Sequence, residues 1–170
     1  METANGTAGA SEQAKRMAMV CWSNDLDRVW PTLILATTGA ASGLEVDVFF
    51  TFWGLRVLQR NNKRITGKNW MQKMESVVDH GGTDHLRLGK MHMGGMGTMM
   101  IKKLADQYKV ASPTDLLEMA KDVGVRLWPC QMTMDLYGLT TADFIDGLQP
   151  CLGAASFIDM AAKADITLFI

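Results

Sequence analysis

Hydrophobic and polar positions divide this chain into short apolar runs separated by punctuated helical stretches. Residues 16–22, Arg-Met-Ala-Met-Val-Cys-Trp, form the first run and predict a buried strand. Ser23, Asn24, Asp25 and Asp27 follow as helix-start residues, with Pro31 either kinking that helix or opening it. Residues 32–42 are small and apolar, as in a helix packed closely on a sheet, and Gly43 ends them. Residues 44–51, Leu-Glu-Val-Asp-Val-Phe-Phe-Thr, alternate and then turn fully apolar, which predicts a second strand entering the core. A short helix is expected from Phe52-Trp53-Gly54 to about Arg60. Strand, helix, strand, helix predicts a parallel sheet with right-handed crossovers.

After a polar, basic connection at 61–68, Trp70, Met71, Met74, Val77 and Val78 recur at helical spacing, so 69–79 is an amphipathic helix. Residues 90–101 are rich in methionine and glycine, and 98–109 are helical with Ile101, Leu104 and Tyr108 on one face. Ser112-Pro113-Thr114-Asp115 is a capped helix start, and Gly124 stops that helix. A short strand then reaches Trp128, Cys130 stands at its carboxyl end, and a helix opens after it and closes at Gly138. Thr140 and Asp143 have capping-box spacing for a further helix ending at Gly147. Residues 153–163 form a small-residue helix, and the last five residues, Ile-Thr-Leu-Phe-Ile, a strand built into the sheet.

Composition narrows the class. The 170 residues fit one α/β domain, 15–170, behind a small, polar, disordered leader at 1–14. A net charge of −1 argues against a nucleic-acid partner. The most apolar region, 29–58, is interrupted by Glu45, Asp47 and Arg56 and does not read as a membrane span, so no membrane partner is expected. Three widely spaced cysteines, at 21, 130 and 151, are neither a disulfide framework nor a zinc set, and they suit a reducing, cytoplasmic setting. No phosphate-binding loop or dinucleotide fingerprint is present, and no cofactor is called for.

Cys130 is the leading chemical candidate. In open α/β sheets, ligands and chemistry gather outside the carboxyl ends of the strands, and N–H groups opening a helix favour an anionic sulfur. Such a thiolate can attack a sulfur donor and hold the outer sulfur as a persulfide. The plain alternative is a buried structural cysteine. Cys21 is a possible secondary thiol, and Trp53, Gly94, Gly95, Gln131, Met132 and Asp135 are candidates to line the site. The loop with Met91, His92 and Met93 admits a different function. Thioether and imidazole suit copper(I), although methionines more often fill irregular gaps.

Four stretches together resemble the DsrE/DsrF/DrsH-like family, in the branch often labelled peroxiredoxin-like. They are Ser23-Asn24-Asp25-Leu26-Asp27, Val48-Phe49-Phe50-Thr51-Phe52-Trp53-Gly54-Leu55, Lys90 to Gly97, and Cys130 to Gly138. The resemblance runs from about residue 16 to 170. It implies a three-layer α/β domain with a mostly parallel sheet of about five strands. It also implies a sulfurtransferase or sulfur carrier that holds a persulfide or thiosulfonate on Cys130. Such a protein takes sulfur from a donor and passes it to an acceptor such as a TusA-like carrier, and it acts as a homo-oligomer. No stretch resembles a peroxiredoxin active-site motif. The rival expectations are a copper-binding protein using the Met/His loop and a non-catalytic subunit of a sulfur relay.

Overall fold

Strands apolar on both faces need helices returning over each face, and the chain folds that way. The computed structural model describes residues 14–61, 65–78, 80–90 and 93–170. The expected leader lies outside these apart from residue 14. In chain order the main elements are β1 (Arg16–Cys21), α1 (Leu26–Ala41), β2 (Glu45–Phe50), a 3-10 stretch (Phe52–Leu58), α2 (Trp70–Val78), α3 (Met96–Gln107), α4 (Pro113–Asp122), β3 (Arg126–Pro129), α5 (Gln131–Tyr137), α6 (Ala154–Ala161) and β4 (Ile166–Phe169).

The sheet is parallel throughout, in the order β3-β2-β1-β4. It has four strands against the five or so that the resemblance implies. The place of a fifth, on the outer edge of β3, is taken by residues 149–152. There Gln149 N–H donates to Leu127 C=O and Leu152 N–H to Pro129 C=O, at 3.0 and 2.8 Å. Pro150, which has no N–H, sits between them and interrupts the ladder.

One face of the sheet is fully covered. Leu26, Val29, Leu33 and Ala36 recur every three or four residues along α1 and are buried on Met17, Met19, Val46 and Val48. A fully buried leucine contributes roughly 1.5–3 kcal/mol. Pro31 lies inside α1, so the helix starts before it rather than at it. Gly39 is fitted to this packing, since a Cβ there would come within 2.5 Å of Met17. α4 packs on α1 and begins with the expected capping box, Ser112 and Asp115 bonding reciprocally.

The other face is covered more thinly, by α6. Near the carboxyl ends it is apolar, with Phe157 stacked on Phe49 at 4.7 Å between ring centroids. Nearer the amino ends it is ionic. Asp47 accepts from Arg126 Nε and Nη2 and from Trp128 Nε1, at 2.7, 2.8 and 2.7 Å. Glu45 accepts from Arg16 Nε at 3.1 Å and from Arg126 Nη2 at 3.3 Å, and these bonds draw its carboxyl below the usual carboxylate range. The alternation in residues 44–51 puts Glu45, Asp47 and Phe49 on this one face, which turns from acidic to aromatic along the strand.

Two helical expectations are shortened. The segment after β2 is 3-10 rather than α-helical. The Thr140–Asp143 capping box forms, with both bonds at 2.8 Å on its Asp143 side, but caps a single 3-10 turn. The chain then leaves in an extended conformation because Ile145 N–H donates to Leu58 C=O and Arg60 N–H to Asp143 C=O.

α2 is a helix at the expected place, but its polar side faces inward. Ser76 is buried, accepting from Thr66 N–H at 3.1 Å, and Gln72 Nε2 donates to Leu136 C=O at 2.9 Å. Glu75 pairs with Arg56, which is 2% exposed. Arg56 also donates to Gln59 Oε1 at 3.1 Å and lies over the Tyr137 ring at 4.8 Å. Among the described residues no helix is long and apolar enough to cross a membrane.

Removing one partner of a buried ion pair strands the other charge. Arg56→Met is therefore expected to lower unfolding stability by about 3–5 kcal/mol in urea titration, and Arg56→Met/Glu75→Met to recover much of that loss.

Candidate functional site

Cys130 is the residue at which β3 becomes α5. Its N–H donates to Phe50 C=O at 3.0 Å, a last rung of the β2–β3 ladder, and its C=O accepts from Met134 N–H at 3.0 Å, the first bond of the helix. It is therefore the N-cap of α5, with extended backbone angles (φ −77°, ψ 118°) and no capping bond from its side chain. Leu152 pairs with it from the outer edge, and Gln131 N–H donates to Leu152 C=O at 3.0 Å. The thiol is 2% exposed and packs among Ala18, Phe49 and Phe157, with Leu152 against this cluster.

Strand alternation places Cys130 on the same face as Trp128 and Arg126, the face that α6 covers. Cys21 is on the other face, in the core under α1. It pairs in register with Phe50, which pairs with Pro129, so two strand spacings of about 4.8 Å separate β1 from β3. That exceeds the roughly 7 Å limit on Cα separation for a disulfide, so the fold does not bring the two thiols together. Burial pushes the Cys21 thiol up to about 12, a shift only partly offset by its hydrogen bonds with Thr32 and the Ser23 carbonyl. Cys151 is exposed. It borders a cleft of about 360 Å³ with Pro129 and Met134, on the side of the chain away from the Cys130 thiol.

The other expected lining residues divide into two groups. Gln131, Met132 and Asp135 lie on α5, where Gln131 Nε2 donates to Asp135 Oδ1 at 3.0 Å and Met132 is 59% exposed. Trp53 meets this helix by stacking on Tyr137, with 5.7 Å between ring centroids. Gly94 and Gly95 are not packed against the site, since a side chain on either would meet no atom within 4 Å. Met91 and His92 lie outside the described residues. Among the described residues no group of three or more His, Cys, Asp or Glu is placed to hold a metal ion.

The sequence pattern gave no sign of the clasp between the two junctions. Phe52 has φ 49°, a left-handed conformation that a bulky side chain rarely adopts. Its N–H donates to Thr133 Oγ1 at 3.0 Å, and the Thr51 and Thr133 hydroxyls lie 3.3 Å apart. Thr133, fully buried, therefore fastens the turn after β2 to α5. Gly54 completes the join. Its N–H donates to Trp22 C=O at 3.0 Å, and a Cβ there would come within 2.1 Å of the Cys21 carbonyl oxygen. A cleft of about 600 Å³ opens beside this join, lined by Trp22, Ser23, Asp25, Trp53, His85 and Arg87 among others.

The family model described as the DsrE/DsrF/DrsH-like family matches residues 13–169. The chain belongs to that family. It is 38% identical over 160 residues to the sulfur carrier protein DsrE2 of Allochromatium vinosum, covering 93% of this chain and 99% of that protein. It is 36% identical over 160 residues to the YrkE protein of Bacillus subtilis, covering 94% and 99%. The crystal structure of the YchN protein of Escherichia coli has the same fold, with a TM-score of 0.56 at 14% identity, covering 93% of this chain and all of the other.

Two outcomes test this geometry. Thr133→Val leaves the Phe52 N–H without its acceptor, and a loss of about 1–3 kcal/mol is expected in chemical unfolding. For Cys21, the folded thiol keeps its proton where the unfolded one has lost it. Stability should thus be unaffected below pH 9 and fall as pH rises from about 9 toward 12. Cys21→Ala should flatten that alkaline decline in unfolding curves taken across the range.

Proposed function

We propose that this protein carries sulfane sulfur on Cys130 and hands it to a thiol of a partner protein. The observation that carries the reading is the place of Cys130, at the carboxyl end of β3 in a parallel sheet and at the N-cap of the following helix. Similarity to a sulfur carrier over nearly the whole chain supports the same chemistry.

In the loading step the Cys130 thiolate attacks the outer sulfur of a persulfide or polysulfide donor. The donor's S–S bond breaks, the donor leaves as a thiolate, and Cys130 holds the terminal sulfur as a persulfide anion. In the delivery step an acceptor thiolate attacks that outer sulfur, and Cys130 leaves as its thiolate. Each step exchanges one S–S bond for another, so no external oxidant or reductant is needed. First-turn amides of α5, which lack intrahelical acceptors, supply the positive potential for the anionic sulfur. Gln131, Met132, Asp135 and Trp53 form the α5 side of the site, over which a donor or a TusA-like acceptor would dock.

Three free cysteines suit the reducing cytoplasm. Assembly with further copies belongs to the same reading. Exposed Ile158 on α6 and Phe169 on the edge strand β4 leave the Cys130 face partly uncovered by its own chain.

Intact-mass measurement after incubation with inorganic polysulfide tests the reading, with Cys151→Ser as the parent so that its exposed thiol does not contribute. The parent should gain one sulfur, Cys21→Ser should gain it as well, and Cys130→Ser should gain none. Sulfur uptake that survives Cys130→Ser unchanged would overturn the assignment.

A further inference from the structure

We infer that residues 153–164 form a strap over Cys130, latched by Phe157, and that local release of this strap admits sulfur donors and acceptors to the thiol. Its use in sulfur transfer rests on the carrier reading above, whereas the strap itself rests on packing. Cys130 is 2% exposed. Exchange at sulfur depends on access to the attacking thiolate. A donor cannot reach this thiol while the cluster around it stays closed. The loaded form needs room as well. A persulfide adds one sulfur atom, and close-packed clusters yield poorly to even one more methylene. Phe49, Phe157 and Leu152 also offer its charge no hydrogen-bonding side chain.

The cover comes from one short length of chain. In the cluster around the thiol, Ala18 and Phe49 belong to the sheet, and Phe157, Ala161 and Ala164 to this length. Both of its ends are fastened through backbone. Before it, Leu152 N–H donates to Pro129 C=O at 2.8 Å, and Leu152 C=O accepts from Gln131 N–H at 3.0 Å. After it, Asp165 N–H donates to Arg16 C=O at 2.9 Å, and Asp165 Oδ2 accepts from Arg16 N–H at 2.7 Å. The strap thus crosses from the edge of β3 to β1, over Phe49 of β2.

Between these anchors the strap is held lightly. Its own bonds stay within it, as in Phe157 N–H to Gly153 C=O and Ala162 N–H to Ile158 C=O. Among the described residues, no hydrogen bond joins 153–164 to the rest of the chain. α6 buries a single residue, Phe157, whose ring stacks on Phe49. Ala154, Ala155, Ser156 and Ile158 around it are exposed. On the opposite face α1 buries seven residues. Segments with few buried apolar contacts open at lower cost than the core. Losing one ring contact therefore frees the strap while β1, β2, β3 and α1 keep their packing.

Alkylation of the native protein tests access without using sulfur. In a Cys151→Ser parent, iodoacetamide labelling of Cys130 and Cys21 is followed by peptide mass mapping across low urea concentrations. The Cys130 rate should be nearly flat in urea, as for a local opening, while the Cys21 rate climbs steeply with global unfolding. Phe157→Ala should speed Cys130 labelling at least about tenfold. Val29→Ala, which weakens the core under α1 and not the strap, should leave the Cys130 rate unchanged and raise that of Cys21. Should Phe157→Ala fail to fold, Phe157→Leu keeps an apolar latch without the ring stack and should give a smaller increase. A Cys130 rate as steep in urea as that of Cys21, or raised equally by Val29→Ala and the Phe157 variant, overturns the proposal. Polysulfide uptake separates strap from carrier. Faster alkylation in the Phe157 variant without sulfur uptake upholds the strap and removes the carrier reading. Sulfur uptake on Cys130 with alkylation unchanged by the Phe157 variant does the reverse.

Discussion

A buried guanidinium keeps its charge, so the chain around it has to be arranged to answer that charge. Arg56 stands just after β2, and its partners come from three different places. Glu75 comes from α2, Gln59 from the end of its own 3-10 stretch, and the Tyr137 ring from α5. Tyr137 in turn carries Trp53 on its outer side. The elements clustered at the carboxyl end of β2 are thus held by one cation, and the helix that follows Cys130 is among them. The direction in which α2 faces is a result of the same pairing. A helix with a good apolar stripe gives up burying it because its polar stripe is needed inside.

The two faces of the sheet do different work. One is a closed hydrophobic core under α1 and α4, and the cysteine found there, Cys21, is kept neutral by its surroundings. The other changes from an ionic ladder around Asp47 to a small apolar cluster around Phe49, and Cys130 belongs to the cluster. Both thiols come from the carboxyl edge of a parallel sheet, yet pleat direction puts them under different layers, Cys21 in the core beneath α1 and Cys130 in the cluster beneath α6. Position along a strand alone does not separate them. The side of the sheet does.

Much of the fold was legible because its signals are local. The capping box at Ser112, the αL stop at Gly138 and the apolar strands each depend on a few neighbouring residues. The junction at Cys130 was legible for the same reason. What escaped depends on partners distant in sequence. Nothing local to Thr133 marks it as the acceptor for the N–H of Phe52, 81 positions away. The helical period in Trp70–Val78 defines a stripe but not its direction, which Arg56 decides. Residues 149–152 lie where a fifth strand would run, and Pro150 keeps them from becoming one.

The pleat of a strand also bears on the fate of the sulfur that Cys130 is proposed to carry. Leu152 is the residue opposite Cys130 and shares its side of the sheet, so Cys151, one position earlier, projects to the other side. Cys21 is two strands away and under the opposite layer. A sulfur atom placed on Cys130 therefore has no thiol of its own chain within reach to discharge it as sulfide. In the proposed role, the lifetime of that sulfur would be set by encounters with outside molecules rather than by internal leakage. The storage time of the proposed cargo would thus be governed by backbone parity at three positions as well as by the chemistry of the cysteine that bears it.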